Sequence, residues 1–153
     1  MNIVGPELRR KPEVEAILRS LPLWFGIEEA LLKYVVDSAV QPTFAADFDG
    51  KLGGFITLTR HFPESWDVHC IAVSATHRNT GVGSALLAHA EGYIRQQGGR
   101  FLQVKTIAHT SPNREYAETR KFYQAKGFTP LEVFPDLWSP RHPCLQLIKV
   151  LQR

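Results

Sequence analysis

The chain is poor in the residues that mark several functional classes. It holds two cysteines and one methionine in 153 residues, and no C-x-x-C or H-x-x-x-H pair. No metal site is therefore expected, because zinc and iron–sulfur ligands come at such spacings. Cys70 and Cys144 sit in apolar, strand-like runs, where a thiol acts as a small buried hydrophobe. No window reaches the ~18 consecutive apolar residues of a membrane span. The first residues, Met1 to Glu7, lack the charged-then-apolar pattern of a signal peptide. A cytoplasmic location and no membrane partner are the expectation. Repeats, low-complexity tracts and dividing linkers are also missing, so residues 1–153 read as a single domain. Excess charge is small, +3. The densest basic cluster, Arg9-Arg10-Lys11, is too short for a nucleic-acid arm, while the mild positive balance suits a polyanionic small molecule.

What is present is organised around residues 67–87. An apolar run, Val68 to Val73, empties into a turn carrying Arg78, Asn79, Thr80, Gly81, Val82, Gly83 and Ser84. A helical pattern follows, with Leu86, Leu87, Ala90 and Ile94 on one face. A strand that ends in a glycine-containing turn at a helix start is an anion site, because the first helical N–H groups have no partner and the dipole favours negative charge. Glycine allows close backbone approach, and Arg78 offers a fork of donors for phosphate oxygens.

The rest of the chain falls around that turn. Ile3-Val4 opens a short edge strand. Pro6 begins a helix with Val14, Ile17, Leu18 and Leu21 at helical spacing, and Pro22 ends it. Leu23 to Gly26 is an apolar connector, in which Trp24 and Phe25 either roof a pocket or fill core. Ile27–Ser38 is a second helix. From Thr43 the period becomes two: Thr43–Phe48, the turn Asp49-Gly50, Leu52–Leu58, a polar connection from His61, then Trp66–Val73. After the central helix, stopped by Gly98-Gly99, Phe101–Ile107 is a buried strand that should run parallel to the one before the helix. His109–Arg114 is a loop, Tyr116–Lys126 a helix, Gly127–Phe134 a strand, Pro135–Pro143 a proline-rich loop and Cys144–Leu151 the last strand. The order β-α-α-β-β-β-α-β-α-β-β gives an α/β class with a mixed sheet.

This order, with three motifs, resembles the GCN5-related N-acetyltransferase (GNAT) superfamily. Arg78-Asn-Thr-Gly81-Val-Gly83 is similar to its Q/R-x-x-G-x-G/A pyrophosphate loop. Phe122-Tyr123, followed by Gly127-Phe128, is similar to its late helix. Asp67 to Val73 looks like its carboxylate-bearing strand. Many members carry an Asn seven residues before the late-helix Tyr, where Tyr116 stands here. The resemblance implies acetyl-CoA as donor and a primary amine as acceptor. It places the diphosphate on residues 78–84, the pantetheine along Ile71, Ala72 and Val73 with Tyr116 nearby, and Tyr123 as donor to the leaving sulfur. Asp67 or His69, two apart on one strand face, would strip the amine directly or through water. Candidate acceptor contacts are Trp24, Phe25 and Glu28, His61 and Phe62, and Trp138, Arg141 and His142. A small-molecule acceptor is the first expectation. The alternatives are a macromolecular amine, namely a protein amine or an aminoacyl-tRNA, and a non-catalytic acetyl-CoA sensor. The last strands are also candidates for a homodimer contact.

Overall fold

A computed structural model describes residues 1–152 of the protein. Seven strands form one sheet: β1 (Asn2–Val4), β2 (Thr43–Phe48), β3 (Lys51–Phe62), β4 (Ser65–Val73), β5 (Phe101–Ile107), β6 (Thr129–Ser139) and β7 (His142–Val150). Their spatial order is β1-β2-β3-β4-β5-β7-β6. Every neighbouring pair is antiparallel except β4 and β5, which run parallel. That exception follows from the crossover between them, helix α3 (Val82–Gln96), since a strand–helix–strand unit returns the chain in the same direction. The order of elements is the one read from the sequence.

Helices α1 (Lys11–Arg19) and α2 (Glu28–Ser38) cover one sheet face, and α3 and α4 (Arg114–Ala125) cover the other. The first layer packs Val14, Leu18, Leu31 and Val35 onto Phe55, Cys70 and Ala72. The second packs Leu86, Leu87, Ala90 and Ile94 onto Ile56, Leu58, Trp66 and Val68. The 3.6-residue stripe of α3 read in the sequence is thus its buried side. One charged pair bridges the second layer: both carboxylate oxygens of the buried Glu91 accept from Lys149 Nζ at 2.9 Å.

Three boundaries differ from the sequence reading by more than two residues. The first helix begins at Lys11, with Pro12 in its first turn, and not at Pro6. The segment at Pro6 is drawn to the sheet instead, where its carbonyl accepts the Thr43 N–H at 2.8 Å. Strand β3 runs on to Phe62, so His61 and Phe62 end a strand and do not form a loop. The stretch 135–143 is a hairpin, with β6 extending to Ser139 and β7 starting at His142. Proline is tolerated there because β6 is the outer strand and its pairing with β7 lapses between Phe134 and Ser139.

Candidate active site

Strand β4 changes character half-way along. From Ser65 to Val68 it pairs with β3 on one side and β5 on the other. Beyond Val68 the β5 ladder stops, while β5 itself continues to pair with β7 as far as Ile107. His69 sits where the strands part. It is the extra residue of a bulge, because Val68 faces Leu58 and Cys70 faces the next residue back, Thr57. Further on, the Ser74 N–H donates to Gly53 O at 2.9 Å. Counting back by alternation, Ile71 and Val73 turn their N–H and C=O groups toward the gap that β5 leaves.

The head of α3 opens beside this gap. Gly81 is its N-cap, in the left-handed region at φ 86°, and no side chain caps the helix. Ala85 is the first N–H to find a partner, Gly81 O at 3.0 Å. Among the described residues, the amides of Asn79 to Ser84 donate to nothing. The Thr80 hydroxyl, a possible cap, is turned back onto the His77 carbonyl. A side chain at Gly81 would meet no atom within 4 Å, so the space there is open, whereas a Cβ at Gly83 would meet the Phe122 ring of α4 at 3.5 Å.

Arg78 stands over this turn and joins it to two other elements. Its guanidinium carbon lies 4.3 Å from the Trp24 ring centroid, and its Nη2 is 3.2 Å from Glu118 of α4. Trp24 donates its indole N–H to Thr119 Oγ1 at 3.2 Å and Glu115 O at 3.3 Å. The Tyr116 hydroxyl donates to Trp24 O at 2.8 Å, and burial pushes that hydroxyl up from its ordinary pKa. The α1–α2 connector is therefore fastened to the first turns of α4, which Asn113 caps by accepting from the Glu115 and Tyr116 amides. Trp24 is half-buried: it packs against the core beneath α1 and α2 and at the same time links the connector to α4.

Tyr123 lies 4% exposed between the rings of Phe122 and Phe128, each 5.5 Å away. Its hydroxyl has no hydrogen-bond partner among the described residues. No fully enclosed side-chain oxygen there lacks a partner, so this oxygen opens onto accessible space. Burial pushes its pKa up, and Cys70, Asp67, Tyr34 and Tyr116 push the same way. The hydroxyl is thus held protonated, as a donor must be.

The two β4 candidates each have a fixed partner. Asp67 Oδ2 lies 3.1 Å from His61 Nε2 and 3.8 Å from Lys105 Nζ. His69 Nε2 lies 2.8 Å from Asp37 Oδ2 on α2, an oxygen that also takes Lys33 Nζ at 3.0 Å. Burial pushes the Asp37 carboxyl up, but the hydrogen bonds from Lys33 and His69 outweigh it and hold the pKa below its ordinary value. Tyr34 presents an edge to the His69 ring at 5.2 Å, and Phe25 does the same to Tyr34 at 5.9 Å. Burial pushes the Tyr34 hydroxyl up to about 12.

The remaining candidates lie apart. Glu28 is an exposed partner of Arg19 at 2.8 Å. Trp138 and Phe62 are exposed on strands, and His142 Nδ1 meets Ser139 Oγ at 2.9 Å across the hairpin turn. Arg141, at that turn, lines a cleft of about 520 Å³ with Thr110, Pro112, Asp136 and Pro143.

The Acetyltransferase (GNAT) domain family matches residues 39–130, more than half of the chain. The chain belongs to that family. No curated protein matches this GNAT chain by sequence. Solved structures share its fold. A putative GNAT acetyltransferase from Desulfovibrio desulfuricans superposes with TM-score 0.84 at 22% identity, over 99% of either chain. An aminoglycoside 6′-N-acetyltransferase complexed with coenzyme A gives 0.79 at 19%, over 100% of this chain and 98% of that one. The ribosomal-protein-S18-alanine N-acetyltransferase of Escherichia coli gives 0.79 at 16%, over 99% and 94%.

Two features of this acetyltransferase were not legible in its sequence. Asp37 lies 32 positions from His69, among ordinary helix residues, and nothing local marks it as a partner. The bulge was hidden because Asp67 and His69 do alternate; the pattern breaks only one residue later, where Cys70 is buried in the layer beneath α1 and α2.

Proposed function

We propose that this GNAT acetyltransferase moves an acetyl group from acetyl-CoA to a primary amine of a small molecule, by direct attack within a ternary complex. The observation that carries the reading is the row of unpartnered amides at the head of α3, opening beside the strand gap. Asn79 to Ser84 would hold the diphosphate, as a helix N-terminus does. Ile71 and Val73 would pair with the amides of the pantetheine arm, and so place the thioester in the gap. Tyr116 would line the arm near α4 through its ring, since its hydroxyl is spent on Trp24.

The chemistry then needs few groups. The free amine attacks the thioester carbonyl, the C–N bond forms and the C–S bond breaks. A strand N–H at Ile71 or Val73 suits the oxyanion; one such donor is typically worth ~3 kcal/mol. The Tyr123 hydroxyl, protonated and without a partner among the described residues, would give the departing sulfur its proton. Support for a small-molecule acceptor comes from the aminoglycoside-acetylating neighbour and from the absence of any long basic stripe in the sequence.

The test is thiol release from acetyl-CoA over polyamines, amino acids, aminoglycosides, peptides and charged tRNA. One or more small amines should release thiol, and Tyr123→Phe should cut turnover about 100-fold with little change in coenzyme affinity. Turnover with peptide or tRNA alone contradicts the acceptor class, and an unchanged rate in Tyr123→Phe contradicts the proton donor.

A further inference from the structure

The gap between β4 and β5 has a closed end. The last pair of the ladder, Val68 and Val104, is buried, and so is the core on its α3–α4 side, where Phe128, Leu145 and Leu147 pack with Tyr123. A thioester arm lying along Ile71 and Val73, with its diphosphate at the α3 start, would run down the gap toward that end. Ahead of it stands the ladder, and on one side the core. The remaining direction is the α1–α2 side.

A row of rings crosses that side. Tyr34 of α2 presents an edge to His69, the bulge residue, at 5.2 Å, and stands edge-on to Phe25 at 5.9 Å. Both ends of the row are held. Asp37 takes the His69 ring at 2.8 Å, and the Tyr116 hydroxyl donates at 2.8 Å to the carbonyl of Trp24, the residue before Phe25. The Tyr34 hydroxyl has no hydrogen-bond partner among the described residues, so packing of the ring holds it in place. Leu31 and Val35, on the inner side of α2, are buried together with Cys70 and Ala72 of β4. Packed side chains and not a channel therefore lie behind the rings, and the helix cannot draw back without opening a void. Beside the row, two residues back along β4, lies Asp67, shared by His61 and Lys105. An alkyl chain laid there would take water from those charges and give them no partner.

We infer that Tyr34 sets the length of the acyl group this chain transfers: its ring walls the end of the gap, so that acetyl fits and chains of four or more carbons do not. The inference rests on the acetyl-transfer reading above, and adds to it the side chain that excludes longer thioesters. Tyr34 would meet the methyl end of the acyl group and not the bonds that change, so it governs selectivity.

The test compares acetyl-, butyryl- and hexanoyl-CoA with free coenzyme A on the intact chain. Calorimetry without an acceptor gives the ratio of affinities, and thiol release with an active amine gives the ratio of kcat/KM. In the wild type, butyryl-CoA should bind about tenfold or more weakly than acetyl-CoA, and its kcat/KM should be lower by about 100-fold, since a methylene in a closed pocket is worth about 10–200-fold. Tyr34→Ala should narrow both ratios about tenfold. Tyr34→Phe, which keeps the ring, should keep the wild-type ratios. Leu32→Ala, exposed on the outer side of the same helix, should change neither. If Tyr34→Ala unfolds, Tyr34→Leu, which keeps an apolar side chain on α2, repeats the test and should narrow the ratios about threefold. Hexanoyl-CoA bound and used as well as acetyl-CoA by the wild type overturns the inference. So do wild-type ratios in a Tyr34→Ala or Tyr34→Leu chain that keeps the wild-type thermal transition. Failure of all four compounds to bind, free coenzyme A included, would instead remove the acetyl-transfer reading itself.

Discussion

The two halves of β4 show how one strand builds both a core and a cleft. Ser65 to Val68 is held on both edges, and the side chains of Trp66 and Val68 are sealed beneath α3. His69 to Val73 is held on one edge alone, beside an open helix start. Backbone groups that pair within the sheet stabilise it; Ile71 and Val73, beyond Val68, turn the same groups to the open gap, where, in the proposed function, they pair with the coenzyme. A single inserted residue at the bulge separates the two regimes.

That contrast is broken most severely from its closed end. Trp66→Ala removes a ring that is 2% exposed and packs edge-on against Tyr93 at 5.9 Å. It should cost about 3–5 kcal/mol, read as the shift in a urea unfolding curve. Tyr123→Phe, at the open end, should leave that curve within about 1 kcal/mol because its hydroxyl has no partner to lose.

Next in size is Gly81→Val. A branched side chain at φ 86° should strain the turn by about 1–2 kcal/mol and move the amides that face the ligand. Coenzyme affinity measured by calorimetry should fall about tenfold or more, with β4 pairing intact. Gly83→Ala should be milder, since its new methyl would meet Phe122 at ordinary contact distance.

The sequence made the open end more legible than its chemistry. Arg78, Gly81 and Gly83 could be placed because turn and helix-start signals are local, and the parallel run of β5 follows from one crossover. The bulge and the Asp37–His69 bond could not be read, because each depends on a partner across the sheet or on another helix. The hairpin at residues 135–143 is hidden for a related reason: three prolines signal a loop locally, but only the sheet order shows that β6 is an outer strand.

A smaller effect sharpens the contrast through pH. The folded state holds the Asp37 carboxyl below its unfolded pKa despite the burial that opposes it. Its contribution to stability is therefore complete above the unfolded carboxylate value and is lost as pH falls through the folded one. Asp37→Asn should flatten the acid side of the stability curve, measured by urea unfolding from pH 7 downward. Glu13, lowered by its bond to Arg10, acts in the same direction and will remain in the variant.

The smallest expected effect lies at the rim. Glu118 holds Arg78 at 3.2 Å and places negative charge beside the proposed diphosphate site. Glu118→Gln should free Arg78 and tighten coenzyme binding two- to threefold, in keeping with the ~0–1 kcal/mol of an exposed ion pair. The gain should shrink as salt rises.

Amide hydrogen exchange, with and without coenzyme A, tests the central claim most directly. Binding should slow exchange at Asn79 to Ser84 and at Ile71 and Val73, and leave the doubly paired residues 65–68 unchanged. Heat of binding without protection at those amides, or protection confined to the β6–β7 hairpin, would contradict it.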